Sequence, residues 1–252
     1  MYRRLLLLTG LVLWPVGGAV AQSSPVPVAL DPMFQPHAVI QRDRPVPVWG
    51  RAEPGQQVEA SLAGTTGTAV AGADGRWRIN LPAQPAGRDL TLSIRAAGET
   101  VQTVTNLAAG DVFLCSGQSN MEFEVRKATN SDTEIAQAND VDLRLLSVAR
   151  SSLPAPATGP ASVGTWAATT PDAVRNFSAA CYFMGRELRR ARPDVPVGLI
   201  ASSWGGSIIE DWIDEPTLRA LGGHDIPLNV LAVYAQDPAA GEREWQAVSE
   251  SW

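Results

Sequence analysis

The sequence predicts an α/β fold, a mostly parallel sheet with helices on both faces, preceded by a small antiparallel β-sandwich. Three observations carry that reading. Short runs between Pro25 and Leu107 alternate apolar and polar with a period of two; from Asp111 onward the strands become continuous apolar runs; and those later runs alternate with segments of helical pattern.

Taken in order, residues 1–21 have a basic start (Arg3, Arg4), an apolar run from Leu5 to Val16 and the small-residue ending Ala19-Val20-Ala21. This is the pattern of a cleaved signal peptide. The apolar run, about 12 residues, is short of the roughly 20 that span a bilayer. No later stretch is long enough either, so no membrane span is expected after cleavage, and the protein is expected in a periplasm or outside the cell. Residues 22–108 are expected to form the β-sandwich. Alternation is visible in Val58-x-Ala60-x-Leu62, Trp77-x-Ile79-x-Leu81 and Leu90-x-Leu92-x-Ile94. Asp74-Gly75 and Gly98 are expected to turn hairpins, and Pro45 and Pro47 to sit on an edge strand. This region reads as a structural or carbohydrate-contacting module.

Residues 109–252 carry the α/β pattern. Asp111 to Cys115 reads as a buried strand, Leu143 to Val148 as a second, and Val195 to Ala201 as a third. Leu153 to Thr170 reads as a loop. Ser178 has the chemistry of a helix N-cap, and Ala179 to Arg192 follows it with Cys181, Phe183, Met184 and Leu188 near one face and basic residues at the end. Pro193 stops that helix. A short helix carrying Ile208, Ile209 and Trp212 follows Gly205-Gly206.

Composition sets limits on function. The chain has 252 residues, 45% hydrophobic and 18% charged, which excludes a disordered or collagen-like protein. With 20 basic against 26 acidic residues the net charge is −6, so neither nucleic acid nor an anionic membrane is an expected partner. Two His leave little for a metal site, and no cofactor is implied. Two Cys, Cys115 and Cys181, lie in apolar segments and read as buried thiols rather than a bridge, although export would permit one. Oligomeric state is not legible.

In an open α/β sheet the reactive groups gather at the carboxyl ends of the strands. Two segments meet that condition: Ser116-Gly117-Gln118-Ser119-Asn120-Met121 and Ser202-Ser203-Trp204-Gly205-Gly206-Ser207. Ser119, at a tight turn heading a helix, has the position of a nucleophile whose own N–H is free to stabilise an oxyanion. Gly205 or Gly206 offers a second N–H that no Cβ obstructs. Read by residue type alone, each segment also fits a plain N-cap or turn.

Gly-Asp-Val-Phe-Leu-Cys-Ser-Gly-Gln-Ser-Asn-Met at 110–121 closely resembles the nucleophile block of the sialate O-acetylesterase family, a branch of the SGNH hydrolases. Val-Gly-Leu-Ile-Ala-Ser-Ser-Trp-Gly-Gly-Ser-Ile-Ile-Glu-Asp-Trp at 197–212 is similar to its second block, with Ser207 where Thr is common. Ala38 to Arg42 and Val48-Trp49-Gly50 resemble the family's N-terminal β-domain. The resemblance implies an SGNH-like sheet, with Ser119 as nucleophile and the N–H groups of Ser119 and of Gly205 or Gly206 in the oxyanion hole. The substrate it implies is an acetylated carbohydrate, sialic acid first and xylan or another hemicellulose second. Trp204 is a candidate sugar-stacking residue, although core packing is the expected role of Trp204 and Trp212. Glu210 reads as a solvated carboxylate.

A serine needs a base, and the family supplies one as Asp-x-x-His near its C-terminal end. Here His37 belongs to the β-region, and His224 has Leu221, not Asp, three residues earlier. The expectation is therefore a C-terminally truncated product with an incomplete sheet, which holds the nucleophile and lacks its base. Such a chain would be inactive or nearly so, and a non-catalytic carbohydrate-binding protein is the reading from another class.

Overall fold

The computed structural model describes residues 27–151 and 163–250. The expected signal peptide and most of the Pro-, Ala- and Thr-rich loop lie outside them. The first half is all strand: β1 Ala29–Leu30, β2 Val39–Gln41, β3 Val46–Arg51, β4 Gln57–Leu62, β5 Thr65–Val70, β6 Arg76–Leu81, β7 Gly87–Ala96 and β8 Glu99–Gly117. Helices then enter: α1 Ser119–Glu122, α2 Ser131–Ala136, β9 Asp140–Ser147, β10 Ala167–Thr169, α3 Pro171–Arg175, α4 Ala179–Ala191, β11 Val197–Ser203, α5 Glu215–Leu221, α6 Asp225–Gln236 and α7 Pro238–Glu250. No helix among the described residues is long and apolar enough to cross a membrane.

The strands form two sheets. A three-stranded sheet, β1-β3-β6, faces an eight-stranded one ordered β10-β9-β11-β8-β7-β4-β5, with β2 added on β8. Inward side chains Val48, Trp77, Ile79 and Leu81 meet Val58, Ala60, Leu62, Leu92, Ile94 and Leu107 in one buried cluster. That is the expected sandwich, produced by the period-two pattern burying one face of each sheet. The α/β class is also observed, as a mixed sheet that is parallel where β11 joins β8 and β9 and antiparallel at β10.

Four local expectations need correction. Asp74-Gly75 joins β5 to β6, which lie in different sheets, so it is a crossover turn and not a hairpin. The hairpins are at Ala97-Gly98 and Ala63-Gly64, where both residues have positive φ, the geometry that matches strand twist. β3 is central in its sheet. It tolerates Pro47 because β1 pairs only with Gly50 and Arg51, which leaves Pro47 a local edge. The loop read up to Thr170 contains β10, antiparallel to β9. Finally, α4 starts as expected, with the Ser178 hydroxyl accepting from Cys181 N–H at 3.3 Å, but it buries Cys181, Tyr182 and Gly185 and turns Met184 to solvent.

β8 crosses the expected boundary at residue 108. Its first part pairs antiparallel with β7 and its last part parallel with β11. Gly110 marks the change. A Cβ there would stand 2.0 Å from the Pro196 carbonyl oxygen, so only glycine lets the segment before β11 approach closely enough for Asp111 N–H to bond that oxygen at 2.9 Å. Ion pairs hold the same end: Arg42 and Arg192 both bind Asp111, and Arg189 reaches Asp140 and Asp142.

Cys115 and Cys181 form a disulfide with Cα atoms 6.0 Å apart, which corrects the expectation of two thiols. Burial does not distinguish the two states. Strand alternation turns Cys115 toward α4, and Cys181, one turn past the N-cap, faces it; both remain buried.

Two stability outcomes follow. The bridge closes a loop with a sequence separation of 66, worth about 4 kcal/mol by chain entropy. The Cys115→Ser/Cys181→Ser double variant should lose that amount in urea unfolding, and an unchanged midpoint would contradict the bridge. Gly110→Ala should cost about 2 kcal/mol or more by forcing backbone apart, read as a lower thermal midpoint at unchanged far-ultraviolet signal.

Candidate active site

β8 and β11 run parallel and in a register that pairs Ser203 with Gly117, so the two chains leave the sheet at the same level. At the end of β8, Gly117 takes φ +145°, a conformation that glycine tolerates, and the chain turns into α1. The Gln118 carbonyl accepts from Met121 and Glu122 N–H at 3.0 and 2.9 Å. Ser119 stands first in this turn and is exposed. The turn rests on the start of α4: Ala179 N–H donates to the Phe123 carbonyl at 2.8 Å, and the Ser178 hydroxyl approaches Met121 Sδ at 3.7 Å. The disulfide lies just before the bend, at Cys115.

The bend after β11 is fastened directly to the first. Trp204 N–H donates to the Gly117 carbonyl at 2.9 Å. The Ser207 hydroxyl donates to the Trp204 carbonyl at 2.7 Å and accepts from Trp212 Nε1–H at 2.9 Å. A Cβ on Gly205 would lie 3.7 Å from Ser119 Cα, so the two bends are in van der Waals range. Gly205 N–H points at the Glu122 carboxylate and donates to Oε2 at 2.5 Å. Gly206 has φ +87° with open space where a side chain would be, and among the described residues its N–H has no hydrogen-bond acceptor.

Ser119, Gly205 and Gly206 are thus brought together. Trp204 and Trp212 are not core residues, which corrects that expectation: they are 38% and 40% exposed and border the bends, because the loop after β11 runs over the sheet's end and not across its face. Glu210 sits half-buried in the 3₁₀ turn Ile209–Trp212. Neither histidine hydrogen-bonds to Ser119. His37 Nδ1 pairs with Asn106 Nδ2 at 3.2 Å, and burial, then the Arg144 charge, hold its pKa below the ordinary imidazole value. Asn106 is separated from Gly117 by roughly 35 Å of extended strand. His224 precedes α6 and accepts Leu228 N–H through its carbonyl. Among the described residues no group of three or more His, Cys, Asp or Glu is placed to hold a metal ion.

Two site residues escaped the sequence reading. Glu122 is three positions after Ser119 on the same turn, and Arg150 lies just past the carboxyl end of β9. Arg150 forms an ion pair with Glu122 and places its guanidinium 5.8 Å from the Trp204 ring centroid. The strand-end rule that found the other two segments would have found Arg150 had it been applied to β9.

Residues 109–221 match a family described as carbohydrate esterase, sialic acid-specific acetylesterase. The sialate O-acetylesterases of Mus musculus and Homo sapiens are 31% and 30% identical over 191 residues, which cover 69% of this chain and 35% and 36% of those proteins. The chain therefore spans about a third of the length of the curated relatives it matches. A crystal structure of a carbohydrate acetylesterase from Xanthomonas citri superposes with a TM-score of 0.70 at 37% identity, covering 76% of this chain and 43% of that one. Both strand-end bends fall inside the matched segment. Residues 109–221 thus carry the family's sialic acid-specific acetylesterase region, and it is there that the chain's likeness to the sialate O-acetylesterases is shown.

Proposed function

We propose that Ser119 is the nucleophile of an esterase that removes acetyl groups from carbohydrates, with O-acetylated sialic acid as the first candidate substrate. One observation carries the reading. The Trp204 N–H to Gly117 carbonyl bond holds the glycine bend against Ser119, so a hydroxyl and the backbone donors of a glycine bend lie in one small volume, as acyl transfer requires.

In the step proposed, Ser119 Oγ bonds to the ester carbonyl carbon and the carbonyl π pair moves to its oxygen. Ser119 N–H and a glycine N–H from the 205–206 pair stabilise that oxyanion. The pair returns, the sugar oxygen leaves with a proton, and an acetyl-serine remains for water to cleave. The serine proton needs an acceptor. Neither histidine bonds to Ser119, so slow turnover is expected of residues 1–252. Trp204, partly exposed beside the bend, is suited to stacking against a sugar ring. Export to a periplasm or beyond is part of the proposal, supported by the N-terminal pattern and by the Cys115–Cys181 bridge, which an oxidising compartment sustains.

A second reading, hemicellulose acetyl esters, is favoured by one finding. The Xanthomonas citri protein, at 37% identity, is named only for carbohydrate acetyl esters and not for sialic acid.

Incubation with p-nitrophenyl acetate should leave one acetyl group on the chain, detectable by intact mass and mapped to Ser119. Ser119→Ala should abolish it and lower the release of p-nitrophenol by about a hundredfold or to the uncatalysed rate; equal rates in both would remove the assignment. Acetate release from 9-O-acetyl sialic acid should exceed that from acetylated xylan at equal ester concentration, and the reverse order would select the second reading.

A further inference from the structure

The Glu122 carboxylate already occupies one of the two glycine donors that the proposed reaction could use, Gly205. Its Oε2 accepts Gly205 N–H at 2.5 Å, and its Oε1 pairs with Arg150, whose guanidinium rests over Trp204. A Cβ at position 205 would stand 2.3 Å from Oε2, so the carboxylate reaches this amide only because position 205 is glycine. A negatively charged oxygen on a bare backbone N–H beside Ser119 is chemically what a tetrahedral oxyanion would be, and also what the carboxylate of released acetate would be.

We propose that Glu122 is a resting-state latch for the oxyanion site: a positioning residue whose carboxylate fills the Gly205 donor until a carbonyl oxygen or product anion displaces it, with Arg150 as the counter-ion that receives it. The inference rests on the esterase reading above. Its physical basis is that two anions cannot share one N–H at contact distance, so Glu122 must withdraw for Gly205 to serve an oxyanion. Withdrawal is open to it. The Glu122 and Arg150 side chains are 30% and 50% exposed, at the solvent edge of the site, so the pair can swing outward together without burying an uncompensated charge. Trp204 then loses its cationic cover at the moment a sugar arrives. Latch release and exposure of the stacking ring are one motion.

Acetate binding needs no turnover, so it tests the latch separately from the nucleophile. With the full chain, the Gly205 amide is followed by 15N–1H NMR while acetate is added. Acetate should bind Glu122→Gln and Glu122→Ala about tenfold more tightly than the parent, since a charge-assisted competitor has been removed, and the Gly205 amide should be the resonance that moves. Arg150→Met should weaken acetate binding, because Glu122 stays on the amide without its counter-ion. Gln keeps the size and the acceptor oxygen, so it reports even if Ala disturbs the turn, and equal thermal midpoints establish folding. Acetate affinity unchanged or weaker in Glu122→Gln, or a response elsewhere than at Gly205, would overturn the latch. Loss of acetyl-serine in Ser119→Ala is independent of either outcome, and its absence from the parent would count against the esterase reading alone.

Discussion

Strand β8 has to satisfy two partners of opposite direction. Its first part is antiparallel to β7 and its last part parallel to β11, within one run from Glu99 to Gly117. A strand that changes partners must let the second one in without a side chain in the way, and Gly110 against the Pro196 carbonyl is that place. Because the backbone continues unbroken through it, the sandwich and the α/β layer share a sheet instead of being joined by a linker. The direction of β8 in the sandwich therefore aims its exit at the site.

That exit matters because the chemistry depends on register. Pairing Ser203 with Gly117 makes β8 and β11 end level, and the Trp204 amide then closes the gap to the Gly117 carbonyl. Since side chains alternate with a period of two, a one-residue slip would turn Cys115 away from Cys181. The disulfide and the capped start of α4 hold the register from below, at Cys115, Cys181 and Ser178. At the far end of the parallel strands Asp111, Asp140 and Asp142 gather Arg42, Arg192, Arg88 and Arg189. Two of these carboxylates, Asp111 and Asp142, are nearly buried, and removing one partner there costs more than an exposed pair would.

Above this frame Ser119 is exposed at the site. Trp204 and Trp212, linked through the Ser207 hydroxyl, give the site an aromatic edge. Glu122 and Arg150 are joined to the bends through the Gly205 amide and the Trp204 ring. Nearby Glu124 is drawn off by Lys127 and Arg126, whose hydrogen bonds and charges hold its carboxyl below the ordinary range. Glu122 is thus the carboxylate that faces Gly205.

Much of this was legible in the residues. Period-two alternation located the sandwich strands, continuous apolar runs located β9 and β11, and Ser178 announced α4, because each of these signals is local in the chain. So was the placement of Ser119 and the 205–206 glycines at strand ends. The crossover at Asp74-Gly75, the length of β8, the Cys115–Cys181 bridge, the exposure of Trp204 and the grip of Glu122 on Gly205 were not. Each is decided by which distant segment lies alongside, and apolar surroundings look the same to a thiol and to half a disulfide, just as a turn looks the same between paired and unpaired strands. Local chemistry in the chain determined the elements and the reactive candidates; only the packing of β8 against β11 decided which candidates meet, because distances between residues far apart in sequence are set by the sheet's register and not by composition.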